Sequence, residues 1–159
     1  GKQLHRARLV ADNLACYPGP HRPLTVVTDG RWPSWLPGTF ARVMADVPCT
    51  GLGSLRRRPE SRWRREPSDL DDLVPLQQAL LRSAIASVPP GGVVAYVTCS
   101  PHRRETSEVV ESVEGVEVLD APSYLPEVPD AARGRYVQLW PHRHETDAMF
   151  LALLRRTDS

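Results

Sequence analysis

The chain has 159 residues, an apolar content of 41% and a net charge of +1. This length suits one folded domain, and the composition is that of an ordinary globular protein, which excludes a disordered or collagen-like chain. No apolar run approaches the roughly 20 residues that span a bilayer, so we expect no membrane partner. The start shows no signal peptide, and the three cysteines form no CxxC pair, which argues against a disulfide framework or a zinc ribbon. We therefore expect a cytoplasmic protein.

The first half of the chain predicts one helix and two strands. Residues 4–15 carry apolar side chains at helical spacing. The β-branched run LTVVT at 24–28 predicts a buried strand, and 40–46 predict a second one. Residues 47–67 contain too much Gly, Pro and Arg for a regular element.

The second half predicts two helices and four strands. The strongest helical pattern covers 69–88, and 103–113 form a weaker one. Because apolar strands alternate with helices, we expect an α/β fold with a largely parallel sheet. The four strands are predicted at 93–98, 116–120, 136–140 and 148–156.

Reactive side chains follow the ends of the predicted strands. Asp29, Asp46, Cys49 and Cys99 each come directly after a strand or within a few residues of its end. The strands before Cys49 and Cys99 are joined by one helix, so we expect them to be neighbours, about 4.8 Å apart. Two thiols and a carboxylate would then share one cleft, which is a reactive arrangement.

Each of these residues also has a structural interpretation. A cysteine in apolar surroundings is often a small buried hydrophobe, and we expect this of Cys16. For Cys49 and Cys99 the local pattern leaves both interpretations open. His142 and His144 could ligate a metal, but no third ligand is evident, so we expect a solvated loop and no metal.

Residues 56–65, RRRPESRWRR, hold six arginines and a tryptophan within ten positions. We call this segment the arginine loop. The acidic residues gather elsewhere, at 69–72 and 105–118. Such a run is most often a solvated surface, but the interleaved Trp63 and the turn residues favour contact with phosphates of a nucleic acid.

Several segments resemble the Sun/Fmu (RsmB-like) family of S-adenosylmethionine-dependent rRNA cytosine-5 methyltransferases. The family pattern has an Asp-Ala-Pro-Cys turn and a Thr-Cys-Ser turn, and this chain has DVPC at 46–49 and TCS at 98–100. The arginine loop, PPGGVVAYV at 89–97 and the closing segment 136–156 also fit. The resemblance implies a Rossmann-like methyltransferase fold with a mostly parallel sheet and a C-terminal antiparallel hairpin. It implies that residues 1–159 form a single, partial catalytic domain without its first strands.

The resemblance also implies a mechanism and the residues that perform it. A thiolate adds to carbon 6 of cytosine, carbon 5 takes the methyl group of S-adenosylmethionine, and loss of the carbon 5 proton expels the thiol. Cys99 would be the nucleophile, Cys49 would assist release, and Asp46 would lie beside the base. Asp46, Pro48 and Asp29 would contact the cofactor. The partner would be ribosomal RNA, bound by Arg56, Arg57, Arg58, Arg62, Trp63, Arg64 and Arg65.

The chain departs from the family pattern at its start. The glycine-rich cofactor loop and the acidic residue that binds the ribose are absent from this sequence. The piece alone could thus be inactive, and a non-catalytic RNA-binding module is the alternative. A redox protein in which Cys49 and Cys99 form a reversible disulfide is a further alternative. We also expect self-association through the exposed edge of the strand at 24–28.

Overall fold

The computed structural model describes residues 3–18 and 23–158. The chain divides into two compact units, Gly1–Trp35 and Leu36–Ser159. Within the first unit, helix α1 covers Leu4–Leu14, as its apolar spacing predicts. In the described ranges no helix combines the length and the apolar character needed to cross a membrane. That the whole chain forms one catalytic domain stays a prediction.

The second unit is built around one six-stranded sheet. The strand order is β1-β2-β6-β5-β4, and β3 also pairs with β6. The helices are α2 (Asp69–Ser87), α3 (Ser107–Glu111) and α4 (Pro141–His144). The strands are β1 (Arg42–Asp46), β2 (Val93–Thr98), β3 (Val116–Val118), β4 (Ala132–Arg133), β5 (Tyr136–Gln138) and β6 (Phe150–Arg156).

The main core lies between α2, α3 and one face of the sheet. Leu81 of α2 and Val88, which follows the helix, pack against Tyr96 of β2 and Phe150 of β6, and all four side chains are fully buried. The rings of Tyr96 and Phe150 meet edge to face, with centroids 6.3 Å apart. Alternate residues of β6 point to the other face, where Leu151 joins a second apolar cluster. The central strand is thus covered on both faces.

The Rossmann-like α/β class is confirmed, but the parallel share of the sheet is smaller than the sequence predicts. Only β1 and β2 run parallel among the described strands, and α2 is the crossover between them. The other four pairings are antiparallel because β6 runs opposite to each of its neighbours and β4 returns along β5. The predicted C-terminal hairpin is confirmed as β5 and β6.

Two expectations for the first unit are wrong. Residues 24–28 form no strand, and Leu24 remains 86% exposed. A β-branched run becomes a strand only when a neighbouring strand offers its backbone groups, and none does so within the described residues. Self-association through this segment therefore stays a prediction, and residues 24–28 provide no strand edge for it. Cys16 is exposed and not buried, since it follows a helix that buries none of its side chains.

Candidate active site

The two cysteine turns lie side by side at the carboxyl ends of the parallel strands. Asp46 of β1 is in register with Val97 of β2, and the Val47 amide donates to the Val97 carbonyl at 3.1 Å. This pairing brings the Sγ atoms of Cys49 and Cys99 to 3.0 Å from each other. We call these residues the thiol pair. The predicted adjacency of the two strands and of their cysteines is confirmed.

The thiol pair shares a hydrogen bond, which changes how readily each sulfur loses its proton. The hydrogen bond with Cys99 lowers the pKa of Cys49 to about 6, although partial burial opposes this shift. The same bond, together with burial, raises the pKa of Cys99. The first proton therefore leaves the pair easily and the second with difficulty, which is the behaviour of a coupled site. Near neutral pH the pair holds one proton and one negative charge.

A buried carboxylate, Glu105, lies directly behind the thiol pair. Its Oε1 accepts from the Thr50 amide at 2.8 Å and from Gln77 Nε2 at 3.0 Å. Its Oε2 accepts from the hydroxyls of Thr50 and Ser100, each at 2.6 Å. Thr50 follows Cys49 and Ser100 follows Cys99, so one carboxylate holds both cysteine turns. We call these four residues the Glu105 cluster.

Two further hydrogen bonds connect the Glu105 cluster to the core. Gln77 Nε2 also donates to the Pro48 carbonyl at 2.9 Å, which ties the first turn to α2. The Tyr96 hydroxyl donates to the Glu105 carbonyl at 2.8 Å. Burial raises the pKa of Tyr96, so this phenol stays protonated and remains a donor. The cluster is thus fixed by a helix and by the central part of the sheet.

Gly53 joins the first cysteine turn to the second and to the final hairpin. Its amide donates to the Cys99 carbonyl, and its own carbonyl accepts from the Ala148 amide, both at 2.9 Å. A Cβ at this position would lie 2.0 Å from the Ala148 oxygen and 2.7 Å from the Cys99 oxygen. Both atoms belong to the backbone and cannot swing away. Only glycine fits here, because three chain segments meet in this space.

The arginine loop begins beside the thiol pair and is anchored by one ion pair. Arg57 binds the buried carboxylate of Asp147, with Nε 2.9 Å from Oδ2 and a second contact from Nη2. The hydrogen bonds with Arg57 lower the pKa of Asp147, and the charges of Arg56 and Arg58 act in the same direction. Cys99 is close enough to raise the pKa of Arg57 further. Asp147 thus holds the loop against the cysteine turns.

The rest of the arginine loop is open to solvent. All six arginines are exposed, and Trp63 is 85% exposed. Arg65 lies 3.5 Å from Asp69, whereas no carboxylate of the described residues pairs with Arg56, Arg58, Arg62 or Arg64. Arg58, Arg64 and Arg65 line a shallow groove between the turns of the loop.

The three predicted cofactor-binding residues differ in their exposure and in their hydrogen-bond partners. Asp46 ends β1 with its carboxylate exposed, and its charge contributes to the raised pKa of Cys99. Pro48 is exposed, but its carbonyl is occupied by Gln77. Asp29 accepts from Arg31, with Nη2 of Arg31 2.8 Å from Oδ2 and the Arg31 amide 3.1 Å from Oδ1. Asp46 therefore lies at the strand ends that carry the thiol pair.

His142 and His144, the two histidines considered as metal ligands, contact neighbouring protein groups. His144 Nδ1 accepts from the Trp140 amide at 2.9 Å, and its Nε2 lies 3.0 Å from the Pro129 carbonyl. The ring of His142 lies 6.1 Å from that of Trp140. Within the described residues, no group of three or more His, Cys, Asp or Glu side chains could hold a metal ion.

Sequence reasoning missed the residues that hold the site together. Glu105 lies in an acidic stretch that looks like solvated surface, and Gln77 falls on a helix face between leucines. Asp147 was placed in a loop between two strands. One indication was available for Glu105, because it comes five residues after Ser100 in a segment already singled out by its family pattern.

Residues 2–155 match the model of a protein family described as 16S rRNA methyltransferase RsmB/F. The putative methyltransferase Rv1407 of Mycobacterium tuberculosis is 51% identical over 156 residues, covering 96% of this chain and 33% of that protein. Ribosomal RNA small subunit methyltransferase F of Aeromonas salmonicida is 30% identical over 131 residues, covering 79% of this chain and 28% of that protein. The chain thus spans about a third of the length of these relatives.

A solved structure shares the fold. The crystal structure of NSun6 from Pyrococcus horikoshii with SFG superposes with a TM-score of 0.81 at 23% identity, covering 99% of this chain and 40% of that chain. At this level of identity the likeness supports the Rossmann-like architecture and nothing finer.

Proposed function

Since this chain belongs to the 16S rRNA methyltransferase RsmB/F family, we propose that it carries the catalytic cysteines of an RNA cytosine-5 methyltransferase. The observation that carries the proposal is the thiol pair, with its two sulfurs 3.0 Å apart and a shared proton. The proposed substrate is small-subunit ribosomal RNA, and a cytoplasmic location follows from it. The methyl donor is proposed to be S-adenosylmethionine.

Cytosine requires a nucleophilic catalyst because its carbon 5 is too weakly nucleophilic to take a methyl group unaided. We assign the attack on carbon 6 to Cys99. Its proton passes along the existing hydrogen bond to the thiolate of Cys49, and the Cys99 sulfur then bonds to carbon 6. The electrons of the 5,6 double bond move towards carbon 5, which becomes enamine-like.

Release of the methylated base breaks the bond between the Cys99 sulfur and carbon 6. A water molecule takes the carbon 5 proton, which restores the double bond and expels the Cys99 sulfur as a thiolate, and Cys49 returns its proton to that thiolate across the shared hydrogen bond. Cys49 is the group assigned to this step, since its sulfur lies beside that of Cys99. Asp46 stands at the same strand ends, where its carboxylate can hydrogen-bond the ring as charge develops. The two thiols therefore have different tasks in one cycle.

The residues of the second unit fit part of the cofactor. S-adenosylmethionine, when bound, supplies the electrophilic methyl group. The exposed Asp46 carboxylate suits a cationic group, and Pro48 offers an exposed apolar ring next to it. The family resemblance also predicts that Asp29 contacts the cofactor, and Asp29 already accepts from Arg31. Asp46 and Pro48 are thus the first residues to test for cofactor binding.

The arginine loop is the proposed RNA surface. Arg56, Arg58, Arg62 and Arg64 are exposed, and the described residues provide them with no carboxylate. Guanidinium groups in this state contact phosphates without first breaking an ion pair. Trp63 is available to stack on an unpaired base. Since a base inside a duplex cannot reach a thiol, the target cytosine must be unpaired or flipped out.

The test uses the complete natural polypeptide and its cysteine variants. Wild-type protein should form a denaturation-resistant adduct with RNA that carries 5-azacytidine, and Cys99→Ala should form none. With ordinary RNA and S-adenosylmethionine, Cys49→Ala should form the adduct more slowly but retain it, because release is blocked. Cys16→Ala is the matched control and should behave as wild type. Methylation by Cys99→Ala would overturn the assignment, and RNA binding without any adduct would favour the non-catalytic RNA-binding module.

The distance between the sulfurs also favours a second candidate function, that of a thiol redox protein. Hydrogen peroxide could oxidise the thiol pair to a disulfide, with two protons and two electrons passing to the peroxide to give water. Closure needs the sulfurs to approach from 3.0 Å to the bonded distance of about 2.05 Å. Mass spectrometry after mild oxidation would detect a Cys49–Cys99 disulfide. This function leaves the arginine loop and Asp46 without a task, so we rank it below both the methyltransferase and the RNA-binding module.

A further inference from the structure

Glu105 is a buried carboxylate that neutral donors surround. Its side chain is fully buried, and its two oxygens accept four hydrogen bonds from Thr50, Gln77 and Ser100. No arginine or lysine of the described residues forms an ion pair with it. Burying a charge without a counter-ion is costly unless hydrogen bonds replace the lost water, and here they do. We therefore expect this buried charge to have a role in the site beside it.

Resting on the proposed function, we propose that Glu105 is a positioning residue: its carboxylate fixes the distance between the two sulfurs of the thiol pair by holding both cysteine turns. Thr50 is the residue after Cys49, and Ser100 is the residue after Cys99. Both hydroxyls bind the same oxygen, Oε2, at 2.6 Å. The two turns are therefore fastened to a single atom.

Only a carboxylate or a group of the same shape can make this connection. A carboxylate accepts at both oxygens and has room for about four hydrogen bonds. Aspartate is one methylene shorter, so it cannot reach the Thr50 amide, Gln77 and both hydroxyls from the same backbone position. Glutamine has the right length, because its oxygen can keep the two N–H donors while its amide donates to the two hydroxyl oxygens. Glu105→Asp therefore tests the length of the side chain, and Glu105→Gln tests its charge.

Glu105 does not take part in the chemistry directly. Both of its oxygens are occupied, and its side chain has no contact with solvent, so neither a base nor a cofactor can touch it. Its effect must pass through the thiol pair. The hydrogen bond at 3.0 Å is the main cause of the lowered pKa of Cys49, and a hydrogen bond weakens steeply as its atoms separate. Loosening either turn should therefore return Cys49 towards an ordinary thiol.

The experiment measures how fast each cysteine reacts with iodoacetamide across pH in the complete natural polypeptide. Mass spectrometry of tryptic peptides separates Cys49, on 43–56, from Cys99, on 83–103. Glu105→Asp should raise the pKa of Cys49 by about two units, from about 6 towards that of an ordinary thiol, so that its alkylation near pH 7 slows roughly tenfold. Glu105→Gln should keep the low pKa. The matched control is Glu108→Asp, since Glu108 is exposed and its ion-pair partner is Arg103 and not a member of the cluster.

The sign of the shift separates positioning from charge. The Glu105 charge by itself raises the pKa of Cys49, so a purely electrostatic role would leave Glu105→Asp like wild type and make Glu105→Gln more reactive. That pattern would overturn the proposal. An unchanged Cys49 pKa in a folded Glu105→Asp variant would overturn it too, because Glu105 would then only stabilise the fold.

A second variant covers the case in which Glu105→Asp does not fold. Ser100→Ala releases only the Cys99 turn, and it should raise the Cys49 pKa by a smaller amount; no shift there would contradict the proposal. The measurement needs neither RNA nor methyl donor. If wild-type protein shows no methyl transfer while the pKa shifts as expected, the proposed function fails and the role of Glu105 stands.

Discussion

Behind the two cysteine turns, the carboxylates of Glu105 and Asp147 are buried and engaged, whereas beside the turns the arginine loop keeps most of its guanidinium groups in solvent. In the first region, short hydrogen bonds from neutral donors hold Glu105, and the Arg57 guanidinium holds Asp147. In the second region, the long side chains are exposed, and the ion pair between Arg57 and Asp147 is the main contact that fixes the loop. The difference separates two requirements: thiol chemistry needs fixed distances, and a phosphate backbone of variable shape needs adaptable cations.

The largest effect is expected where the buried region is packed most tightly. Gly53→Ala should lower the free energy of unfolding by about 3 kcal/mol, because its Cβ would collide with the carbonyls of Cys99 and Ala148. Chemical denaturation measures the loss. Gly134→Ala is the control, since Gly134 has no atom near its Cβ; its positive φ still strains an alanine, and the variant should cost only about 1 kcal/mol. Equal losses in the two variants would contradict the close approach at Gly53.

The next effect concerns a single donor of the Glu105 cluster. Thr50→Val keeps the shape of the side chain but removes a hydroxyl that binds Oε2, and hydrogen bonds to charged groups are worth about 1.5–3 kcal/mol. We expect a loss of that size in equilibrium unfolding. Ser123→Ala removes a hydroxyl from an exposed turn and should change stability by less than about 0.5 kcal/mol. A Thr50→Val variant as stable as wild type would show that the cluster tolerates a missing donor.

A smaller effect is expected at Asp147, and it depends on pH. Hydrogen bonding to Arg57 lowers the pKa of Asp147 below that of an unfolded aspartate, about 3.9. The ion pair therefore stabilises the fold above that pH, and its contribution is lost as the pH falls through the folded pKa. Asp147→Asn should be less stable than wild type near neutral pH and approach it below about pH 3.

Denaturation midpoints across pH check this, with Asp120→Asn as an exposed control. Because Arg57 is largely exposed, water screens the pair and the difference should be modest. A stability difference that persists unchanged at low pH would assign the effect of Asp147 to packing instead of charge.

The smallest effect on the fold is expected in the arginine loop. Arg62→Ala and Arg64→Ala should leave stability unchanged but weaken RNA binding, and each lost phosphate contact should reduce the salt dependence by about 0.7 in the log–log slope for single strands. Binding titrations over a range of salt concentrations measure it. Arg155→Ala is the control, since Arg155 pairs with Glu117 at the far end of β6. An equal loss for Arg155→Ala would mean that the loop has no special place in binding.

The cysteine site was largely predictable because it follows from local patterns. Two apolar strands joined by one helix are usually neighbours, and each ends in a cysteine turn, so the chain order favours the thiol pair that the structure shows. Glu105 was not predictable in this way. Its four hydrogen bonds come from α2 and from both turns, and its place near Ser100 does not indicate that α2 and the first turn also fold onto it.

The prediction of a strand at 24–28 is wrong because it, too, depended on contacts with distant parts of the chain. Its side chains favour an extended backbone, but a strand also needs a partner, and the partner is a property of the distant chain. The direction of β6 was equally hidden, since a run of apolar residues does not reveal whether it enters a sheet parallel or antiparallel to its neighbour.

The most direct test of the account asks which sulfur bonds to the base. The lowered pKa belongs to Cys49, yet we assign the attack to Cys99 and give Cys49 the proton. Wild-type polypeptide is trapped on RNA that carries 5-azacytidine, digested with nuclease and trypsin, and mapped by mass spectrometry. The account predicts the added nucleotide on peptide 83–103, at Cys99. A nucleotide on peptide 43–56, at Cys49, would contradict it.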